Sequence, residues 1–411
     1  PPNNGNCYRK DVSVTITVKE RYFRAEDMAF SLTEAKDVSG KIIDGFAEIE
    51  DNFLQALKDR NNWSSSGDIH TATITFSTDA NYAFALNCTD VAGNSSEQFD
   101  SEKFTVDKTS PYGITIDYSE PRLSAVISAV TFNYYNPSAT VTITASDDTS
   151  GIDSISWNYN RADGASGTNV VSDSGVISDL DYSAGGRIAT GKFVLPYSGS
   201  NGQYYGNITV SAVDKAGNSS PEYRDDGTMV VIDTIAPTRE VEFSPAKQVL
   251  QASDNSTFAN YNYKTEGSKY KIYYDATATA IRINEANFYP EDVIVKVNGK
   301  RTNISNWSQS GDLWTGTLNF AKDGHYVVTI EYTDRSQNGM VSYVSNEVIV
   351  DTVDPVIKVT YSPDKVIKTI DKRKYYDNVQ KATITITEHN FRASDVAAVV
   401  TATDISGAKV N

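Results

Sequence analysis

Val12-Ser13-Val14-Thr15-Ile16-Thr17-Val18 alternates β-branched apolar residues with short hydroxylated ones. That period of two marks a strand with one buried and one wet face. Val141-Thr-Ile-Thr and Ala382-Thr-Ile-Thr-Ile carry the same pattern, as do Ala72, Ile74 and Phe76, then Tyr82, Phe84 and Leu86. Gly, Asn, Asp and Ser clusters separate the runs and few stretches have helical spacing, so the chain reads as all-β, built of antiparallel sandwiches. Its 25 Tyr suit broad, half-buried sheet faces.

Outward from these runs the chain repeats itself. Glu-x-x-Phe follows an alternating run at Glu20/Phe23, Glu285/Phe288 and Glu388/Phe391. An Asp-x-x-x-Pro phrase runs from Asp107 to Pro111, from Asp233 to Pro237 and from Asp351 to Pro355, with prolines 126 and 118 residues apart. Asn62 to Asn94 lies over Asn306 to Asn338 without a gap, and 14 of those 33 positions are identical. Serial copies of one folding unit explain all three observations. The expected division is 1–109, 110–235 and 236–353, with a partial copy at 354–411. Proline stiffens each link, so an extended rod is expected.

The links, Gly67-Asp68-x-x-Thr71-x-x-x-x-Phe76 and Thr89-Asp-Val-Ala-Gly-Asn94 together resemble the bacterial Ig-like repeats (group 3-like) of long Gram-positive surface proteins. The resemblance covers repeats one and three and the start of four. Repeat two keeps Asp214-Lys-Ala-Gly-Asn218 but replaces Glu-x-x-Phe with Ser146-Asp-Asp-Thr-Ser-Gly151. It implies a tandem Ig-like fold and an extracellular, cell-surface setting, with cell-wall anchoring supplied outside this sequence. One fold hosts many functions, so the fold alone does not assign one.

Charge excludes some partners. With 37 basic and 53 acidic residues the net charge is −16, which repels nucleic acid and anionic lipid. No apolar run reaches the length of a membrane span, and a monomer is expected. His70, His325 and His389 fall in separate repeats, and nucleophile, zinc and phosphate-loop motifs are absent, so the chain is not expected to be an enzyme.

Five features remain as candidates. Repeat one is 21 residues longer than repeat three, since the offset between them falls from 265 to 244, and the extra length lies in 38–61. Ile42, Phe46, Ile49, Phe53 and Leu57 recur there at helical spacing, with Asp44 as the expected N-cap and helix from Gly45 to about Arg60. Two readings stand: the stripe covers its own sheet or repeat two, or Ile42, Phe46, Ile49, Glu50, Phe53, Leu57 and Lys58 are the partner-binding face. Cys7 and Cys88 occupy corresponding aromatic positions of the repeat. They are read as a disulfide worth ~4 kcal/mol by loop entropy, or else as buried thiols.

The acids of the links suggest Ca²⁺, which favours clustered carboxylate and carbonyl oxygen and would stiffen a joint. Asp90, Asn94 and Asp107 recur as Asp214, Asn218 and Asp233, then as Asp334, Asn338 and Asp351. The alternative is that these residues cap their own turns. Trp63, Trp307 and Trp314 suggest sugar stacking, although the first two share one repeat position. An isopeptide cross-link would draw its acid from Glu20, Glu285 or Glu388. The function expected is capture of a host secreted or surface protein, an immunoglobulin among the candidates, through repeat one. A passive stalk and a glycan-binding accessory module of a carbohydrate-active enzyme are the alternatives.

Overall fold

The computed structural model describes residues 2, 5–163, 169–196, 203–243, 248–251, 270–274, 277–362 and 366–410. They form two compact units. The first comprises Pro1–Pro237 with Glu285–Tyr289 and Thr333–Gly339; the second holds Thr238–Asn284, Pro290–Tyr332 and Met340–Asn411.

In the first unit, repeat one is two facing sheets. Val12–Lys19 pairs antiparallel with Ile69–Phe76, in register from Val12↔Phe76 to Lys19↔Ile69, and Ser64–Ser66 lies on the far edge. The alternation does what its chemistry demands: Ile16, Ile74 and Phe76 are buried while Ser13 and Thr75 meet outside through their hydroxyls, 3.0 Å apart. The opposite sheet runs Cys7–Tyr8, Phe104–Val106, Ala80–Cys88, Met28–Lys36. Its Phe30, Tyr82 and Phe84 close the core from the other side.

Repeat two has the same two-layer plan with longer strands. Tyr112–Tyr118, Ala139–Ser146, Ile188–Leu195 and Asp181–Ser183 form one sheet; Gln203–Asp214 and Ile152–Asp163 are central in the other. Val141, Ile143 and Ala145 are fully buried. Trp157 stacks on Phe193 at 4.0 Å and lies in register with Gly175, where an added Cβ would come within 2.9 Å of the indole. Only glycine leaves room for that ring.

In the second unit, one sheet of repeat three keeps the strand order of repeat one. Thr277–Asn284, Leu313–Phe320 and Ser308–Ser310 stand in the order already seen for Val12–Lys19, Ile69–Phe76 and Ser64–Ser66. Repeat four contributes the pair Val356–Ser362 with Lys381–Thr387 and the hairpin Lys368–Ile370 with Arg373–Tyr375. No sheet among the described residues crosses 109/110, 235/236 or 353/354.

The insertion in repeat one does contain a helix, α1, spanning Phe46–Lys58. Its N-cap is Gly45 at φ 79, not Asp44: the chain enters through the left-handed region, which glycine tolerates and aspartate resists. Leu57 is fully buried, and Phe46, Ile49, Phe53 and Leu54 pack on the repeat-one core. Phe53 lies between Phe30 and Phe76, at 5.6 and 4.5 Å. Trp63 Nε1 donates to Leu57 O at 2.7 Å, pinning the end of the helix.

The expected disulfide is absent, and Cys7 and Cys88 are free thiols. Register explains why. Cys7 and Asn81 lie level with Thr105 on its two sides, so Cys7 is one intervening strand away from the start of the strand that ends at Cys88, seven residues on (88 minus 81). At about 3.3 Å per residue that separation is about 23 Å. Disulfide geometry needs Cα atoms within about 7 Å. Burial pushes both thiols above their ordinary range, which makes them poor nucleophiles.

Candidate metal centres at the repeat links

Three acids meet at each of the first two links. In the first compact unit, Asp107, Asp147 and Asp214 each offer a carboxylate oxygen such that all three lie within 4.8 Å of one another; Asp233, Glu285 and Asp334 do the same. None of the six is more than 2% exposed. In each centre one acid comes from the link (Asp107, Asp233) and one from the Thr-Asp or Val-Asp turn (Asp214, Asp334). The last follows directly on a core strand: Asp147 after Ala139–Ser146, Glu285 after Thr277–Asn284.

The same local chemistry builds both. Asp214 and Asp334 use one oxygen to accept the N–H of the Asn four residues on, at 2.9 and 2.8 Å, and the other to hold its side-chain amide, both at 2.8 Å. So oriented, the Asn218 amide donates to Asp107 O at 2.9 Å and the Asn338 amide to Asp233 O at 3.1 Å. The Thr-Asp turn thereby grips the backbone of the link. The strand-end acids hold the turn beside them: Asp147 Oδ1 accepts from the N–H groups of Thr149, Ser150 and Gly151, and Glu285 Oε1 from Asn287 N at 2.7 Å. Each turn then reaches the link carboxylate, through Ser150 N to Asp107 at 3.0 Å and the Asn287 amide to Asp233 at 2.8 Å.

Burial, followed by neighbouring carboxylates, pushes Asp107 up to about 7 and Glu285 up to about 9. Asp334 reaches about 6 for the same first reason, and burial also raises Asp147, Asp214 and Asp233. At 4.8 Å each like-charged pair repels by roughly 3–4 kcal/mol even at an effective dielectric of 20. The cations that follow the turn acids in sequence lie over aromatic rings: Lys215 is 5.3 Å from the Tyr182 centroid and Arg335 3.4 Å from that of Tyr289.

The remaining expected ligands are not gathered in. Asp90 accepts from Ala92 N, Asn94 N and the Asn94 amide, and the amide bond holds its carboxyl low. It caps its own turn. Asp351 accepts the Asn390 amide at 2.8 Å, as Asp233 accepts that of Asn287. However, the turn at Asp404 has Ala408 where the other two have Asn218 and Asn338, so it lacks the amide that grips a link. Asp147 and Glu285 are the members of the two acid clusters that motif reading missed. The signal was positional: each is the first residue after an alternating core strand.

For the partner-binding stripe the structure shows a different allocation. Ile49, Phe53 and Leu57 face the core, Phe46 packs beside them, and Glu50 accepts Leu32 N at 2.9 Å, where the strand Met28–Lys36 bulges. Lys58 is half-buried and Ile42 is 55% exposed. The start of the insertion serves the first link instead, since Val38 N donates to Asp148 O at 2.9 Å. Trp63 is buried beneath the helix. Its counterpart Trp307, in the second unit, lines an open cleft of about 500 Å³ with Val293, Val295, Arg301, Asn303 and Ile304.

No family model and no curated protein matches this chain. Among solved structures, a marsupial T cell receptor aligns over 84% of this chain and 98% of its own, at 12% identity and a TM-score of 0.25. The all-β, two-layer architecture stands on the strand pairing itself. Among the described residues no helix is long and apolar enough to cross a membrane.

Proposed function

We propose that the chain is a non-enzymatic spacer of the bacterial cell surface, whose Ig-like repeats are held at their links so that a binding surface is presented away from the cell. One observation carries this reading: equivalent asparagines, Asn218 and Asn338, donate to the backbone carbonyls of equivalent link acids, Asp107 and Asp233. A flexible tether would gain nothing from such bonds. Around the first link Asn81 adds a further bond, to Thr149 O at 2.9 Å. Capture of a host protein by α1 has weaker support, because the helix spends its apolar face on its own sheet.

The reading predicts that the amides of 107–110 and 233–236 exchange with deuterium as slowly as those of the flanking strands in the intact chain. Exchange at the rate of an open loop would contradict it. The cleft beside Trp307 favours a second reading, glycan binding, since an indole face flanked by Arg301 and Asn303 suits a sugar ring. Retention on immobilised glycans that is lost in Trp307→Ala would support that reading.

A further inference from the structure

Asp233, Glu285 and Asp334 combine three properties that a mere acidic cluster lacks. All are buried, at 0, 1 and 2% exposure. Glu285 Oε2 meets no hydrogen-bond donor, although Oε1 of the same carboxyl takes the Gln203 amide at 2.6 Å and Asn287 N at 2.7 Å. After burial itself, the strongest influence on Glu285 is the Asp233 carboxylate. A buried acceptor turned toward other acceptors is costly, and more so when charged, unless a proton or a cation lies between them. The other link repeats the triad of buried acids with a different unpartnered atom: Ser150 donates its N–H to both Asp107 and Asp147, and it is the buried Ser150 hydroxyl that has no partner.

We infer that Asp233, Glu285 and Asp334 hold a Ca²⁺ ion, and that Asp107, Asp147 and Asp214 hold a second. The span fits: Ca²⁺ binds oxygen at about 2.3–2.6 Å, so ligands on opposite sides of one ion stand nearly 5 Å apart. The donors are all carboxylate oxygen, with no imidazole or thiolate, which selects a hard cation over zinc or copper. Burial on all sides and hydrogen bonds that fix each carboxylate favour an ion that sheds its water readily, and Mg²⁺ does so reluctantly. Each ion would bind two carboxylates of a following repeat to the link acid before it, fastening the joint through side chains as Asn218 and Asn338 fasten it through the backbone. The inference deepens the spacer reading.

The test is calorimetric titration of the full chain, freed of metal by chelator, with CaCl₂ near pH 7.5 and with MgCl₂ in parallel. The expected result is two Ca²⁺ per chain. Glu285→Gln, which keeps the shape of the side chain, is expected to lose one of them, and Asp147→Asn to lose the other. No uptake, uptake of Mg²⁺ alone, or uptake unchanged in both variants would overturn the inference. Circular dichroism identical to that of the parent would show that each variant folds. The two readings fail separately: protected links without uptake would leave the spacer and remove the ion, whereas uptake with open links would do the reverse.

Discussion

Glu285→Gln is expected to raise the melting temperature of the chain in calcium-free buffer near pH 7.5 and to lower it in excess Ca²⁺. Without an ion, Glu285, pushed up to about 9 by burial, has to take up a proton to stay buried at pH 7.5, whereas glutamine is neutral without one and carries an amide able to donate. Sparing that proton uptake leaves a net gain of about 1–2 kcal/mol after solvent relaxation. With an ion bound the sign reverses, because a ligand at 100 times its dissociation constant stabilises by about 2.7 kcal/mol and the variant forfeits that term. The pH trend of the ion-free chain follows from the same acids. Their folded pKa values, about 6 for Asp334, 7 for Asp107 and 9 for Glu285, lie above the unfolded values. Their contribution to stability is therefore complete below about pH 4 and is lost as pH rises through 6 to 9. Melts of parent and variant that shift in the same direction with and without Ca²⁺ would contradict this account of the site.

Leu57→Ala is expected to destabilise repeat one by about 2–5 kcal/mol, the usual cost of emptying a leucine-sized site in a packed core. Leu57 is fully buried, and its carbonyl is the anchor for the Trp63 indole, so the cavity would open beneath two elements at once. Ile42→Ala makes the internal control. At 55% exposure Ile42 should cost no more than about 0.5 kcal/mol. Hydrogen exchange of the repeat-one strands in rising denaturant separates the two. Equal and small effects would mean that the helix does not belong to the fold of its repeat.

The parts of this architecture that depend on short-range periodicity were legible in the sequence. Val12 to Val18 and the runs at Ala72 and Val141 became core strands, the run at Ala382 became a strand that is largely exposed, and the spacing of Phe46, Ile49, Phe53 and Leu57 became a helix. What the stripe would touch was not legible, because an apolar helix face looks the same whether it meets its own sheet or a partner. The cap was misread for a local reason: Asp44 is a good capping residue, but Gly45 at positive φ sets the path of the chain. Cys7 and Cys88 each stand where other repeats carry an aromatic residue, yet strand register holds them far apart, and register is not written in spacing. Of the clustered link acids, Asp107, Asp214, Asp233 and Asp334 could be found by recurrence. Asp147 and Glu285 differ in residue type and motif, so aligning one repeat on another hid that both deliver a carboxylate to the same place.

Diffraction from crystals of the intact chain grown with CaCl₂, measured at a wavelength where calcium scatters anomalously, tests the central claim most directly. The account predicts an anomalous peak enclosed by Asp233, Glu285 and Asp334 and another enclosed by Asp107, Asp147 and Asp214. Carboxyl groups joined oxygen to oxygen by a shared proton, with no peak at either link, would contradict it.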